Sequence, residues 1–185
     1  MNQFQIQTES VFGEGALDRL ATIENQRVLV VCDSFIEKSG MINKVTERLV
    51  HCEISVFSEV VPDPSLELIA QGVEVLRNTN PAVLIALGGG SAIDAAKAMY
   101  EFALHLEGVA ISIDSFIALP TTSGTGSEVT SFAVVTDTDN QVKIPLVDDE
   151  MMPDVAILAP ELTASVPPAI TADTGMDVIT HALEA

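Results

Sequence analysis

Short apolar runs alternate with amphipathic stretches along the first 120 residues, and that alternation predicts the fold. Arg27–Asp33 (RVLVVCD) is apolar, β-branched and closed by a carboxylate, so it predicts a buried strand turning into a helix over Ser34–Val50. Glu53–Phe57 predicts a second strand. Val61–Ser65 (VPDPS) is a loop whose Ser65 can cap a helix over Leu66–Asn78. Pro81–Leu87 (PAVLIAL) predicts a third buried strand, which runs through Gly88-Gly89-Gly90-Ser91 into a helix over Ala92–Leu106. Ser115–Leu119 predicts a fourth, ending at Pro120. Strand and helix in alternation predict an α/β fold, a parallel Rossmann-like sheet with helices on both faces.

Beyond residue 130 the pattern changes. Phe132–Thr136 and Val142–Val147 flank Thr138-Asp139-Asn140 and predict a β-hairpin. Val155–Leu158 predicts one more short strand, and Pro160–Pro168, with its three prolines, reads as a linker. A helical pattern then runs from residue 169 to Ala185. Residues 1–166 are therefore expected to form one α/β domain, with 167–185 as a helix beyond it.

Composition narrows the function classes. Hydrophobic residues make up 48% of the chain and Trp is absent, so small aliphatics must fill the core, as suits a buried parallel sheet. A formal net charge of −19 argues against nucleic acid, which needs a basic footprint. Any phosphate must then be held by backbone N–H groups and helix ends rather than by a lysine–arginine patch. Cys32 and Cys52 belong to no CxxC pair and read as buried, reduced thiols of a cytoplasmic protein. The N-terminal MNQFQIQTES has neither the basic nor the apolar region of a signal peptide, and no apolar run has the ~18 residues of a membrane helix.

Four constellations carry candidate chemistry. Gly88-Gly89-Gly90-Ser91, followed by Asp94 and Lys97, joins a predicted strand to a helix. Glycines there admit a phosphate close to the backbone, and the helix terminus offers free N–H groups. The spacing is neither GxGxxG nor a Walker loop, and a tight strand-to-helix turn with a surface Asp94–Lys97 ion pair is the plainer alternative. Pro120–Glu128 (PTTSGTGSE) places hydroxyls and glycines at the end of another predicted strand, on the side where ligands bind in open α/β sheets. Asp33 can accept from both hydroxyls of an adenosine ribose, favouring NAD over NADP, or can simply cap the next helix. Asp177 and His181, four apart on a predicted helix, share a face and can either hold Fe(II) or Zn(II) together or form an ordinary surface pair. His51 and His105 read as non-ligands.

The strings GGGSAIDAAKAM, ALPTTSGTGSEVT and TGMDVITHALEA, in this order, resemble the iron-containing (group III) alcohol dehydrogenase family over essentially the whole chain. SVFSEVVPDPS, VKIPL and SVPPAITADTGMDVITHALEA carry a narrower likeness to the propanol and ethanol dehydrogenases of propanediol and ethanolamine utilisation. The resemblance implies an NAD-binding α/β domain followed by an all-helical one, with the metal between them. It implies that Gly88, Gly89, Gly90 and Ser91 wrap the pyrophosphate with Asp94 nearby, and that Thr121, Thr122 and Thr125 contact the phosphate and nicotinamide side. Lys143 would reach the nicotinamide ribose, Asp33 would read the adenosine ribose, and Asp177 with His181 would be the first two metal ligands.

The implied reaction is hydride exchange between a short primary alcohol, bound to the metal, and nicotinamide. Implied too are a homo-oligomer, and a place in the cytoplasm or inside a bacterial microcompartment. The family's remaining ligands are histidines on later helices, for which these 185 residues offer no substitute. The resemblance therefore makes this an N-terminal half, not competent as a dehydrogenase by itself. A non-catalytic NAD-binding or docking module is the competing expectation. Glycerol dehydrogenases and dehydroquinate synthases share the architecture but match the quoted strings less well.

Overall fold

A computed structural model describes residues 7–106 and 111–184. The first six residues, part of the stretch read for a signal peptide, and Ala185 at the end of the last predicted helix lie outside the described residues.

In chain order the elements are β1 (Glu9–Phe12), β2 (Arg27–Asp33), α1 (Ser34–Lys38), α2 (Asn43–Thr46), β3 (Glu53–Val60), α3 (Leu66–Thr79) and β4 (Val83–Gly88). There follow α4 (Gly90–His105), β5 (Ser115–Pro120), β6 (Phe132–Asp137), β7 (Val142–Val147), β8 (Val155–Leu158), α5 (Pro160–Thr163) and α6 (Pro168–Glu184). Six strands form one parallel sheet in the order β1-β8-β5-β4-β2-β3, and β6 pairs with β7 as a separate antiparallel hairpin.

The period of two along a strand explains why the central runs are apolar throughout. Val28 and Val30 of β2 join Ile85 and Leu87 of β4 in the core on one face of the sheet. Leu29 and Val31 join Leu84 and Ala86 in the core on the other face, under α3 and α4. All eight are buried, and each aliphatic side chain as large as Val or Leu contributes about 1.5–3 kcal/mol by leaving water. The α3 helix begins where expected, because the Ser65 hydroxyl accepts from the Leu68 N–H at 3.3 Å.

Three expectations are corrected. The single helix over Ser34–Val50 is broken into α1 and α2. Gly40 takes a left-handed φ of 76°, which ends α1 in a turn before α2 begins. The Pro160–Pro168 stretch is not all linker: Pro160 opens the short α5, which buries Leu162 against the sheet. Cys32 is buried, but Cys52 is only partly so, its thiol lying 3.4 Å from the Ile23 carbonyl. Burial, reinforced by Asp33 and Glu37, pushes the Cys32 thiol up to about 12, which leaves it unreactive. The structure also adds β1, an edge strand unmarked by any apolar run, paired to β8.

The chain leaves β2 for β3 on one side and leaves β4 for β5 on the other, so the topological switch lies between β2 and β4. Ligands in open α/β sheets bind outside the carboxyl ends of the strands at such a point. Val31 pairs with Ala86 and Gly88 with Pro120, so Asp33, Gly88 and Pro120 end their strands at one level.

Candidate functional site

The glycine turn is as open as its sequence implies. Gly88 has a φ of 154°, and a Cβ there would lie 2.6 Å from the Ala92 Cβ. A Cβ on Gly90 would come within 2.9 Å of Thr125, and one on Gly89 within 3.3 Å of the Thr122 hydroxyl. Only glycine lets the two loops approach this closely. Gly89 occupies the cap position of the 16-residue α4 without a side-chain cap; the Ala92 N–H turns back to the Gly89 carbonyl at 3.0 Å, and the N–H groups of Gly90 and Ser91 at the helix start are the ones open to an anion.

The hydroxyl loop leans over this turn. The Thr121 N–H donates to the Gly88 carbonyl at 2.9 Å, and Thr121 itself is buried. Thr122 and Thr125 face Gly89 and Gly90. On the far side of the loop, a Cβ at Gly124 would be 3.0 Å from Thr174 and 3.4 Å from the Asp177 carboxylate, so the loop also touches α6. A cleft of about 430 Å³ opens between the loop, α5 and α6, with Thr122, Gly124, Thr163 and Val178 in its walls.

Asp33 is the helix cap that its position allows. Its Oδ1 accepts from the N–H groups of Phe35 (2.8 Å) and Ile36 (3.0 Å), capping α1. Its Oδ2 lies beside the glycine turn, 3.9 Å from where a Cβ on Gly88 would stand.

Asp94 and Lys97 do not form the surface pair that their spacing suggests. Lys97 is fully buried, and its Nζ donates to the carbonyls of Ser127 (2.6 Å), Thr130 (2.6 Å) and Phe132 (2.9 Å). The Asp94 carboxylate accepts from the Ser127 hydroxyl at 2.6 Å and the Val134 N–H at 3.1 Å. Burial lowers the Lys97 pKa to about 8, against the opposing pull of Asp94 and Glu128, and burial raises that of Asp94. The reading of Lys97 as a surface residue missed this role. Its only sequence signal is a lysine inside the alanine-rich stretch AIDAAKAM, where an exposed position is not expected.

Lys143 lies exposed on β7 and pairs with Asp63 at 2.7 Å, tying the hairpin to the VPDPS loop. Asp177 and His181 are neighbours as predicted, with Nε2 and Oδ1 3.5 Å apart, both partly exposed. They are a carboxylate and an imidazole, donors suited to a divalent metal. Among the described residues, however, no group of three or more such side chains comes together. Two donors fall short of the three that catalytic metal sites take from protein. The glycine turn, the uncapped helix and Asp33 Oδ2 fit a dinucleotide; the donor set of these residues does not complete a metal centre.

A family model for iron-containing alcohol dehydrogenases matches residues 7–160. The chain belongs to that family. It is 47% identical to the 1-propanol dehydrogenase of Citrobacter freundii over 100% of this chain and 50% of that protein. It is 38% identical to the NADPH-dependent butanol dehydrogenase of Clostridium saccharobutylicum, again over 100% of this chain and 52% of the relative. Among solved structures it is similar to the sulfoacetaldehyde reductase of Bifidobacterium kashiwanohense in complex with NAD+. The TM-score there is 0.83 at 34% identity, covering 96% of this chain and 51% of that one. The chain thus spans about half the length of the relatives it matches. No helix among the described residues is long and apolar enough to cross a membrane.

Proposed function

We propose that this chain supplies the dinucleotide-binding wall of an NAD-dependent alcohol dehydrogenase that interconverts short primary alcohols and aldehydes. One observation carries the reading: at the switch point, a glycine turn that admits no Cβ opens an uncapped helix beneath Thr122 and Thr125, with Asp33 Oδ2 alongside. Gly88–Ser91 hold the pyrophosphate through backbone N–H groups, and the α4 terminus supplies the positive end of its dipole. Thr121, Thr122 and Thr125 bound the nicotinamide side, with Asp94 acting through Ser127. Lys143 serves the nicotinamide ribose once it is free of Asp63. When bound, the nicotinamide supplies hydride transfer; this chain orients it and screens it from water.

Relatives use either cofactor, so the choice of NAD rests on Asp33, whose charge repels a 2′-phosphate. Asp177 and His181 would contribute two ligands to an iron or zinc centre in a homo-oligomeric enzyme, with α6 as the start of a helical unit distinct from residues 1–166. A second reading follows from the donor count: with two ligands, these 185 residues alone bind dinucleotide without turnover.

Calorimetric titration of the chain with NADH, with and without Fe(II), tests this. Saturable binding that Gly89→Asp abolishes and that metal leaves unchanged is expected, since the new side chain would meet Thr122 and place a carboxylate against phosphate. A folded chain that ignores NADH would overturn the assignment.

A further inference from the structure

Lys97 is the one cation buried without residual exposure among the described residues, and it stands in an otherwise apolar stretch of α4 between Ala96 and Ala98. Burying a charge is expensive, and an apolar side chain of like size often serves stability as well. What an apolar side chain lacks is donors. An ammonium has three N–H bonds, and the three carbonyls of Ser127, Thr130 and Phe132 take them at 2.6–2.9 Å. Those carbonyls lie along the segment leading from the hydroxyl loop into β6. The Ser127 hydroxyl sits 3.1 Å from the same Nζ and donates on to Asp94, one turn earlier on α4. The helix whose first turn faces the phosphates therefore grips the opposing loop two turns later.

We propose that Lys97 is a positioning residue for the cofactor: without touching the dinucleotide, its ammonium holds the Thr121–Ser127 loop against the glycine turn, so that Thr122 and Thr125 stand over Gly89 and Gly90. The inference rests on the reading of the glycine turn as a dinucleotide site. Lys97→Met in the 185-residue chain tests it, with Ser127→Ala as the milder variant if the first does not fold.

Two measurements apply. Hydrogen exchange without ligand should show amides 121–131 exchanging about tenfold faster or more in the variant, with β2 and β4 unchanged. Titrations should then show NADH binding weakened about tenfold, some 1.4 kcal/mol, while AMP, which lacks the nicotinamide half that Thr121, Thr122 and Thr125 bound, changes by less than about twofold. Ser127→Ala should show the same split at smaller size. Unchanged loop exchange, or equal weakening of NADH and AMP, would overturn the positioning role. A wild-type chain that binds neither ligand would instead bring down the dinucleotide reading, and this one with it.

Discussion

The glycine turn at Gly88–Gly90 and the Asp177–His181 pair on α6 both border the hydroxyl loop, yet they are held in contrasting ways. The turn is continuous with a buried strand and the most buried helix, and the loop above it is tied down through Lys97 and Asp94. The α6 helix has no buried residue among those described, and Met176, Ile179 and Leu183 face outward. A site is as precise as the groups that hold its side chains. The glycine turn is therefore preorganised by this chain's own packing. On α6 the spacing of Asp177 and His181 follows from helix geometry alone.

The sharpest way to break that contrast is to truncate one leucine packed against the sheet and one on α6. Leu162→Ala on α5, where the leucine is buried, should cost about 2–5 kcal/mol in denaturant melts. Leu183→Ala on α6, where it is 82% exposed, should stay within about 0.5 kcal/mol. Comparable losses would mean that α6 packs more firmly than described.

A smaller effect tells the cap at Asp33 from its proposed ribose contact. Asparagine also caps helices, so Asp33→Asn should leave stability within about 0.5 kcal/mol of wild type. On the proposed reading it removes the charge that meets the ribose, so the NADH-over-NADPH preference in fluorescence titrations should fall about tenfold, a change of some 1.4 kcal/mol. An unchanged preference would reduce Asp33 to a cap.

The smallest effect belongs to the far end of α4, away from the loops. His105 Nδ1 lies 2.9 Å from the Glu101 carbonyl and 3.2 Å from its carboxylate, and these raise its pKa above 6.5. The sign follows from linkage: the stabilisation is complete below 6.5 and is lost as pH rises through the raised folded value. Thermal melts across this window should show that slope, and His105→Gln should flatten it without altering NADH affinity. A change in affinity would mean that the two ends of α4 are not independent.

The sequence by itself determined the alternation of the central strands β2 to β5 with their helices and the sheet end at which the candidate site lies. Apolar runs, a capping serine and a glycine triplet act over a few residues, so their consequences are local and readable. The same holds for the face shared by Asp177 and His181. Only the tertiary structure decided what those residues meet. Helical spacing puts Asp94 and Lys97 together but does not say which face of α4 the hairpin covers, and that covering turned an apparent surface pair into a buried clamp. It also set the second oxygen of the capping Asp33 beside Gly88, which arrives from a strand over fifty residues away. The edge strand β1 was hidden for the same reason: Glu9–Phe12 is mostly exposed, and its pairing is set by β8, at the other end of the domain.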